Sequence, residues 1–180
     1  TLVLNHHNRN YGETVDRLNA IVEQGKTMDW LAATKFDING RKREELIAMG
    51  SIVLHETYFN NLGGPGGDPI GELAAAIERD FGSIERWRVE FTSMGKALGG
   101  GSGWVVLTWS PRGGCLVNQW AADHAHGLAG AIPVLALDMY EHSYQFDFGP
   151  KADAYVDAFM KNIHWKRTAA HYTQAIGAAM

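Results

Sequence analysis

Apolar residues recur at helical spacing through the first third of the chain. Val15, Leu18, Ile21 and Val22 lie on one face of a segment that follows His6. Leu46, Ile47, Leu54, Tyr58 and Leu62 repeat the pattern on a second segment. The mixed stretch from Thr27 to Arg43 lacks this period and reads as a long connection, so the pattern predicts a helical hairpin. Gly63-Gly64-Pro65-Gly66-Gly67-Asp68 cannot continue a helix and reads as a linker. Two further helices are predicted, from Pro69 to Phe81 and from Ser83 to Leu98. Pro69 suits a first helical turn, and Ser83 is placed as an N-cap before Ile84.

The period changes after the glycine-rich stretch Gly99-Gly100-Gly101-Ser102-Gly103. Trp104 to Trp109 and Leu116 to Trp120 are rich in β-branched and aromatic residues, and Pro111-Arg112-Gly113-Gly114 between them supplies a turn. Val134 to Leu137 reads as a third, buried strand ending at Asp138. Helical spacing returns from Lys151 to Trp165 through Tyr155, Val156, Phe159 and Ile163. The expected fold is therefore α+β. An N-terminal helical hairpin lobe (1–64) packs on a C-terminal α/β lobe (65–180) that holds a small three-stranded antiparallel sheet and helices.

Composition narrows the function. The 180 residues suffice for one full core, and 46% of them are hydrophobic. No apolar run approaches the roughly 18 residues that cross a bilayer. A net charge of −4 disfavours a nucleic-acid binder, and an anionic substrate would need locally placed Lys or Arg. Cys115 is the single cysteine, so no intrachain disulfide is possible and stability does not depend on an oxidising compartment. No signal peptide is visible, and a cytoplasmic location is expected. The chain opens at Thr1 without a Met, so an N-terminal segment is expected to be missing.

The chemistry is concentrated in histidine and carboxylate. Of eight His, the informative one lies in Asp138-Met-Tyr-Glu-His142, where the chain leaves an apolar strand. The four-residue separation puts a carboxylate and an imidazole on one side if a helical turn begins there. Such a pair can bind a first-row transition metal, but two ligands do not make a tight site. His6 and His55 sit inside the two predicted N-terminal helices, and spacing does not by itself bring them together.

Five motifs fall in order over residues 2 to 166. Asp138-Met-Tyr-Glu-His142-Ser-Tyr144 resembles the D-x-W-E-H-A-Y-Y signature of the iron/manganese superoxide dismutases, and Gly101-Ser-Gly-Trp104 resembles that family's G-S-G-W. His6 with Val15 fits part of its first helix, His55-Glu-Thr-Tyr58-Phe59 matches its second, and Asn162-Ile-His-Trp165 is similar to its closing N-V-V-N-W. The resemblance implies two lobes with one Fe or Mn ion per subunit between them, held by His6, His55, Asp138 and His142. It implies dismutation of superoxide to dioxygen and hydrogen peroxide, the metal alternating between its +3 and +2 states. Imidazole and carboxylate suit Fe and Mn, and the lack of thiolates argues against a Cys-type zinc or Fe–S site. His124 corresponds to the His or Gln that members place beside the metal. Ser51 stands where other members carry that Gln and cannot replace it. Trp104, Tyr58, Phe59 and Tyr140 would wall the site. Glu141 resembles the family Glu that bonds a ligand His across a two-fold interface, so a homodimer is implied, with Glu141 bridging to His142 of the partner chain.

The departures cluster at the substrate gate. The family's channel Tyr, eight residues after the first ligand, is Thr14 here; the His four residues after that ligand is Asn10; the second signature Tyr is Gln145. A family Trp is Val106, and the signature Trp is Tyr140. Thr14 has a shorter side chain and a hydroxyl of much higher pKa than a phenol. Tyr11 carries a phenol nearby, but the helix phase points it elsewhere. The expected activity is superoxide dismutation. The altered gate leaves open a second reading, a metalloprotein of the same fold acting on another small oxygen species or organic substrate.

Overall fold

The computed structural model describes residues 11–178, and the first two helices within that range are α1 (Gly12–Thr27) and α2 (Lys35–Asn61). The joint between them spans only 28–34, shorter than the apolar pattern predicts. The cause is a capping box. The Thr34 hydroxyl accepts the Asp37 amide at 3.2 Å, and the Asp37 carboxylate accepts the Thr34 amide at 3.3 Å. Most of the first two turns of α2 faces solvent, so no hydrophobic period marks them. Further along, Ala48, Ser51, Leu54, His55, Tyr58 and Asn61 are buried and form the face that docks on the sheet.

Helices α3 (Gly71–Phe81) and α4 (Ile84–Ala97) follow as expected, and the Ser83 hydroxyl caps α4 by accepting the Arg86 amide at 3.1 Å. Strands β1 (Trp104–Ser110), β2 (Cys115–Ala121) and β3 (Ile132–Asp138) form an antiparallel sheet in the order β2-β1-β3. The third strand begins earlier than predicted and takes in Pro133. A proline is tolerated there because β3 is an edge strand, and the ladder shifts register next to it, at Leu107/Thr108. The shift lies well away from the end of β3, where Trp104 stands opposite Asp138.

After β3 come a 3₁₀ turn (Glu141–Ser143), a short helix α5 (Gln145–Phe148), α6 (Ala152–Lys161) and α7 (Trp165–Ala178). The predicted helix from Lys151 to Trp165 is thus interrupted at 162–164, and α7 was not expected. The interruption explains the glycine-rich stretch, which is no loose linker. Gly64 and Gly66 donate their amides to the carbonyls of Asn162 and Ile163, both at 3.1 Å, and Asn61 accepts the His164 amide at 2.7 Å. Gly66 has φ +67°, and a Cβ on it would lie 2.6 Å from the Lys161 carbonyl oxygen. Residues 162–164 therefore leave the helix to pair with this stretch.

The buried Asn61 side chain ties α2 to the outer edge of β3. Its amide nitrogen donates to Val134 O at 3.2 Å and to Thr168 Oγ1 at 3.0 Å, while its oxygen accepts the Ala136 amide at 3.3 Å. Two outward backbone groups of the edge strand, Val134 C=O and Ala136 N–H, are thus bonded by one side chain, which ties α2 along β3. Among the described residues, no helix is long and apolar enough to cross a membrane.

Candidate metal centre

Asp138 is the last residue of β3 and is fully buried. Its Oδ1 accepts the Tyr140 amide at 2.9 Å, an arrangement that starts the turn and aims Oδ2 away from the chain. The Ser143 hydroxyl and the Tyr155 hydroxyl both donate to the Asp138 backbone carbonyl, each at 2.8 Å. The turn that follows is 3₁₀ and brings His142 back over Asp138, with Nε2 3.1 Å from Oδ2. Burial raises the phenol pKa of both Tyr155 and Tyr58, so these groups stay protonated and can donate.

His55 comes from the buried face of α2. Its Nδ1 lies 2.8 Å from the Ser51 carbonyl oxygen and 3.2 Å from the Ser51 hydroxyl. A carbonyl only accepts, so Nδ1 carries the proton and Nε2 keeps its lone pair. That Nε2 lies 3.5 Å from Asp138 Oδ2. One ligand atom each from His55, Asp138 and His142 lie within 4.8 Å of one another, and the first two residues are buried.

These spacings fit a shared ion. With bonds of about 2.1 Å, two donors subtending roughly 90–120° stand about 3.0–3.6 Å apart. The separations of 3.1 and 3.5 Å fall in that range. The Nδ1–H of His55 bonded to the Ser51 carbonyl, on the far side of the ring, is also the usual means of orienting a ligand imidazole. The donor set of nitrogen and oxygen without thiolate suits iron or manganese.

The other expected site residues surround this cluster. A cleft of about 460 Å³ is lined by Glu13, Thr14, Arg17, Ser51, His55, His124 and His142. Trp104 packs edge-on against His55 at 5.0 Å between ring centroids, and Phe59 stacks on the same imidazole at 6.1 Å. Tyr140 is sandwiched between His124 at 4.9 Å and His142 at 5.4 Å. Tyr58 is one layer back, 6.5 Å from Trp104, its hydroxyl 3.1 Å from that of Tyr155. The Trp104 indole donates to His124 Nδ1 at 3.0 Å. An indole N–H only donates, so neutral His124 carries its proton on Nε2. Burial holds the His124 pKa below its ordinary value, against the pull of the Asp138 charge.

Not every expected residue falls within this picture. His6 and Asn10 lie outside the described residues. Gln145 and Glu141 are exposed. Tyr11 donates its hydroxyl to Glu56 at 2.8 Å. Ser51, set aside in sequence as a missing Gln, instead holds His55. The supports from Ser143 and Tyr155 were not foreseen, although Ser143 lies inside the signature and Tyr155 on a recognised helical face.

A helical pair docked on a three-stranded sheet, with two imidazoles and a carboxylate converging beside an open cleft, has the arrangement of a non-haem metal site of the His-carboxylate class. Residues 69–171 match the family model for iron/manganese superoxide dismutases, C-terminal domain. An iron superoxide dismutase of Cupriavidus metallidurans is 63% identical over 97% of this chain and 88% of its own. A manganese superoxide dismutase of Halobacterium salinarum is 36% identical over 95% of this chain and 84% of its own. An iron superoxide dismutase of Methanothermobacter thermautotrophicus is 34% identical over 93% and 82%. The chain belongs to the iron/manganese superoxide dismutase family.

Proposed function

We propose that this protein disproportionates superoxide to dioxygen and hydrogen peroxide at one iron or manganese ion per subunit, held by His55, Asp138, His142 and His6. The carrying observation is the convergence of His55 Nε2 and His142 Nε2 on the single oxygen Oδ2 of Asp138, 3.5 and 3.1 Å away. Bound there, the metal would supply the one-electron redox chemistry that disproportionation requires. The chain's residues prepare the site for it. Ser51 keeps His55 in the tautomer that can ligate, and the Tyr140 N–H bonds Oδ1 of Asp138, leaving Oδ2 to face the two imidazoles. Trp104 fixes His124 as a neutral Nε2–H donor beside the ligands, suited to hydrogen-bonding an anion in the cleft. Thr14 lines the approach, so the gate lacks a phenol at that position.

Iron and manganese relatives both match this chain closely, so the donor set alone does not choose between the two metals. A different reaction through the altered gate is not favoured, because the relative matching 97% of this chain is an iron superoxide dismutase. The match from residue 69 onward supports dividing the chain into a helical hairpin, 1–64, and a metal-binding domain, 65–180. We propose a homodimer as well, in which Glu141 of one protomer accepts from His142 of the other. The exposure of Glu141 and, at 86%, of nearby Phe146 supports such an interface.

The test is superoxide removal by protein loaded with iron or with manganese, alongside Asp138→Asn. Stoichiometric metal and removal far above that of free ion are expected for the parent, with both lost in D138N. Loaded protein no faster than free ion would overturn the reading.

A further inference from the structure

The loop between β2 and β3 carries His124 over the metal ligands, and it rests on one turn of α2. Ser51 in that turn holds His55. Its neighbour Gly50 meets the loop directly. A Cβ built on Gly50 would run into the backbone carbonyl oxygen of His124 and stand 3.0 Å from its carbonyl carbon. That obstacle is backbone, so it cannot swing aside as a side chain would. The loop's own turn is held from within, by Asp123 Oδ1 accepting the amides of Ala125 at 2.8 Å and His126 at 3.1 Å. The same helix contains a glycine of the opposite kind: a Cβ on Gly40 meets nothing within 4 Å.

We infer that Gly50 is a positioning residue for the metal centre: by lacking a side chain it lets the His124 backbone seat on α2, and so sets how close the His124 ring stands to His55, Trp104 and Tyr140. The inference rests on the role proposed above for His124. One helical turn thereby registers two groups against each other. Ser51 orients a ligand through its carbonyl, and Gly50 admits the neighbouring imidazole, whose ring lies 5.7 Å from that of His55. Any larger residue at position 50 displaces the loop outward, lengthens the Trp104 to His124 bond, and moves the Nε2–H donor out of register with the ligands.

The experiment compares iron-loaded parent, Gly50→Ala, Gly40→Ala and His124→Ala, plus the G50A/H124A double variant. The readouts are the azide dissociation constant, from titration followed by absorption, and kcat/KM. A displacement near 1 Å is enough to lower kcat/KM by about tenfold to a hundredfold, and G50A is expected to fall in that range with its azide affinity shifted. G40A should match the parent, and G50A should add nothing in the H124A background. G50A at parent values, or an undiminished G50A effect without His124, overturns the inference. H124A at parent values would instead sink the reading of His124 itself. If G50A is recovered unfolded, Asp123→Ala decides, since it releases the same loop with α2 untouched. D123A should shift both readouts, and D123A at parent values overturns the inference.

Discussion

His55 donates its Nδ1 proton to the carbonyl of Ser51, 2.8 Å away and one turn earlier in the same helix. This bond uses a backbone group that any residue at position 51 would supply. The Ser51 hydroxyl, 3.2 Å from the same nitrogen, adds a second partner. Removing a partner of a ligand imidazole typically lowers metal affinity by about 10- to 100-fold. Ser51→Ala keeps the carbonyl, so its loss of iron affinity, measured by chelator competition, is expected to stay below about tenfold.

Thr14 lines the cleft beside the proposed ligands together with His124, His142 and Arg17. Thr14→Tyr would add a ring to that wall. Azide association with the iron-loaded protein, followed by stopped-flow absorption, should slow severalfold while metal content is unchanged. An unchanged rate would mean that small anions reach the ligands by another path.

Asp80 offers a pH test remote from the metal. Burial favours its neutral form, but the bidentate bond from Arg79, 2.7 Å at each oxygen, and the Leu116 amide at 2.7 Å together hold its carboxyl below the ordinary 3.8. The folded state therefore binds its proton less readily than the unfolded chain. The stabilisation is complete above the ordinary carboxylate range and is lost as pH falls through the lowered folded value. Urea unfolding of metal-free protein should show this acid loss flattened in Asp80→Asn, and Asp80→Ala should cost about 1–3 kcal/mol at neutral pH.

Glu141 is exposed beside His142, whose Nε2 faces Asp138. Glu141→Ala is expected to shift sedimentation equilibrium toward monomer and to weaken metal binding at the same time. Loss of dimer with metal affinity intact would separate the interface from the site.

Much of this architecture was legible as pattern. The helical faces, the hairpin and the strand ending at Asp138 follow from periodicity, because burial on one side of an element leaves a repeat in the residue types. The start of α2 was not legible, since its first turns face solvent and are fixed by Thr34 and Asp37. The break between α6 and α7 was missed because Asn162, Ile163 and His164 continue a helical pattern; they leave the helix to bond with Gly64, Gly66 and Asn61, a pairing between distant backbone groups that residue type does not encode.

The metal centre divides the same way. By sequence alone, Asp138 and His142 were a carboxylate and an imidazole at a strand end, and the family motifs joined His55 and His6 to them. That His55 and His142 meet at one oxygen of Asp138 was decided by the docking of α2 along β3, where Asn61 satisfies the strand's open edge. The tautomer of His55 and the seat of His124 depend on a carbonyl at Ser51 and an absent side chain at Gly50. Backbone carbonyls are common to every residue, and a missing Cβ matters only when another chain segment occupies its space. Both therefore become meaningful only once the tertiary structure has formed.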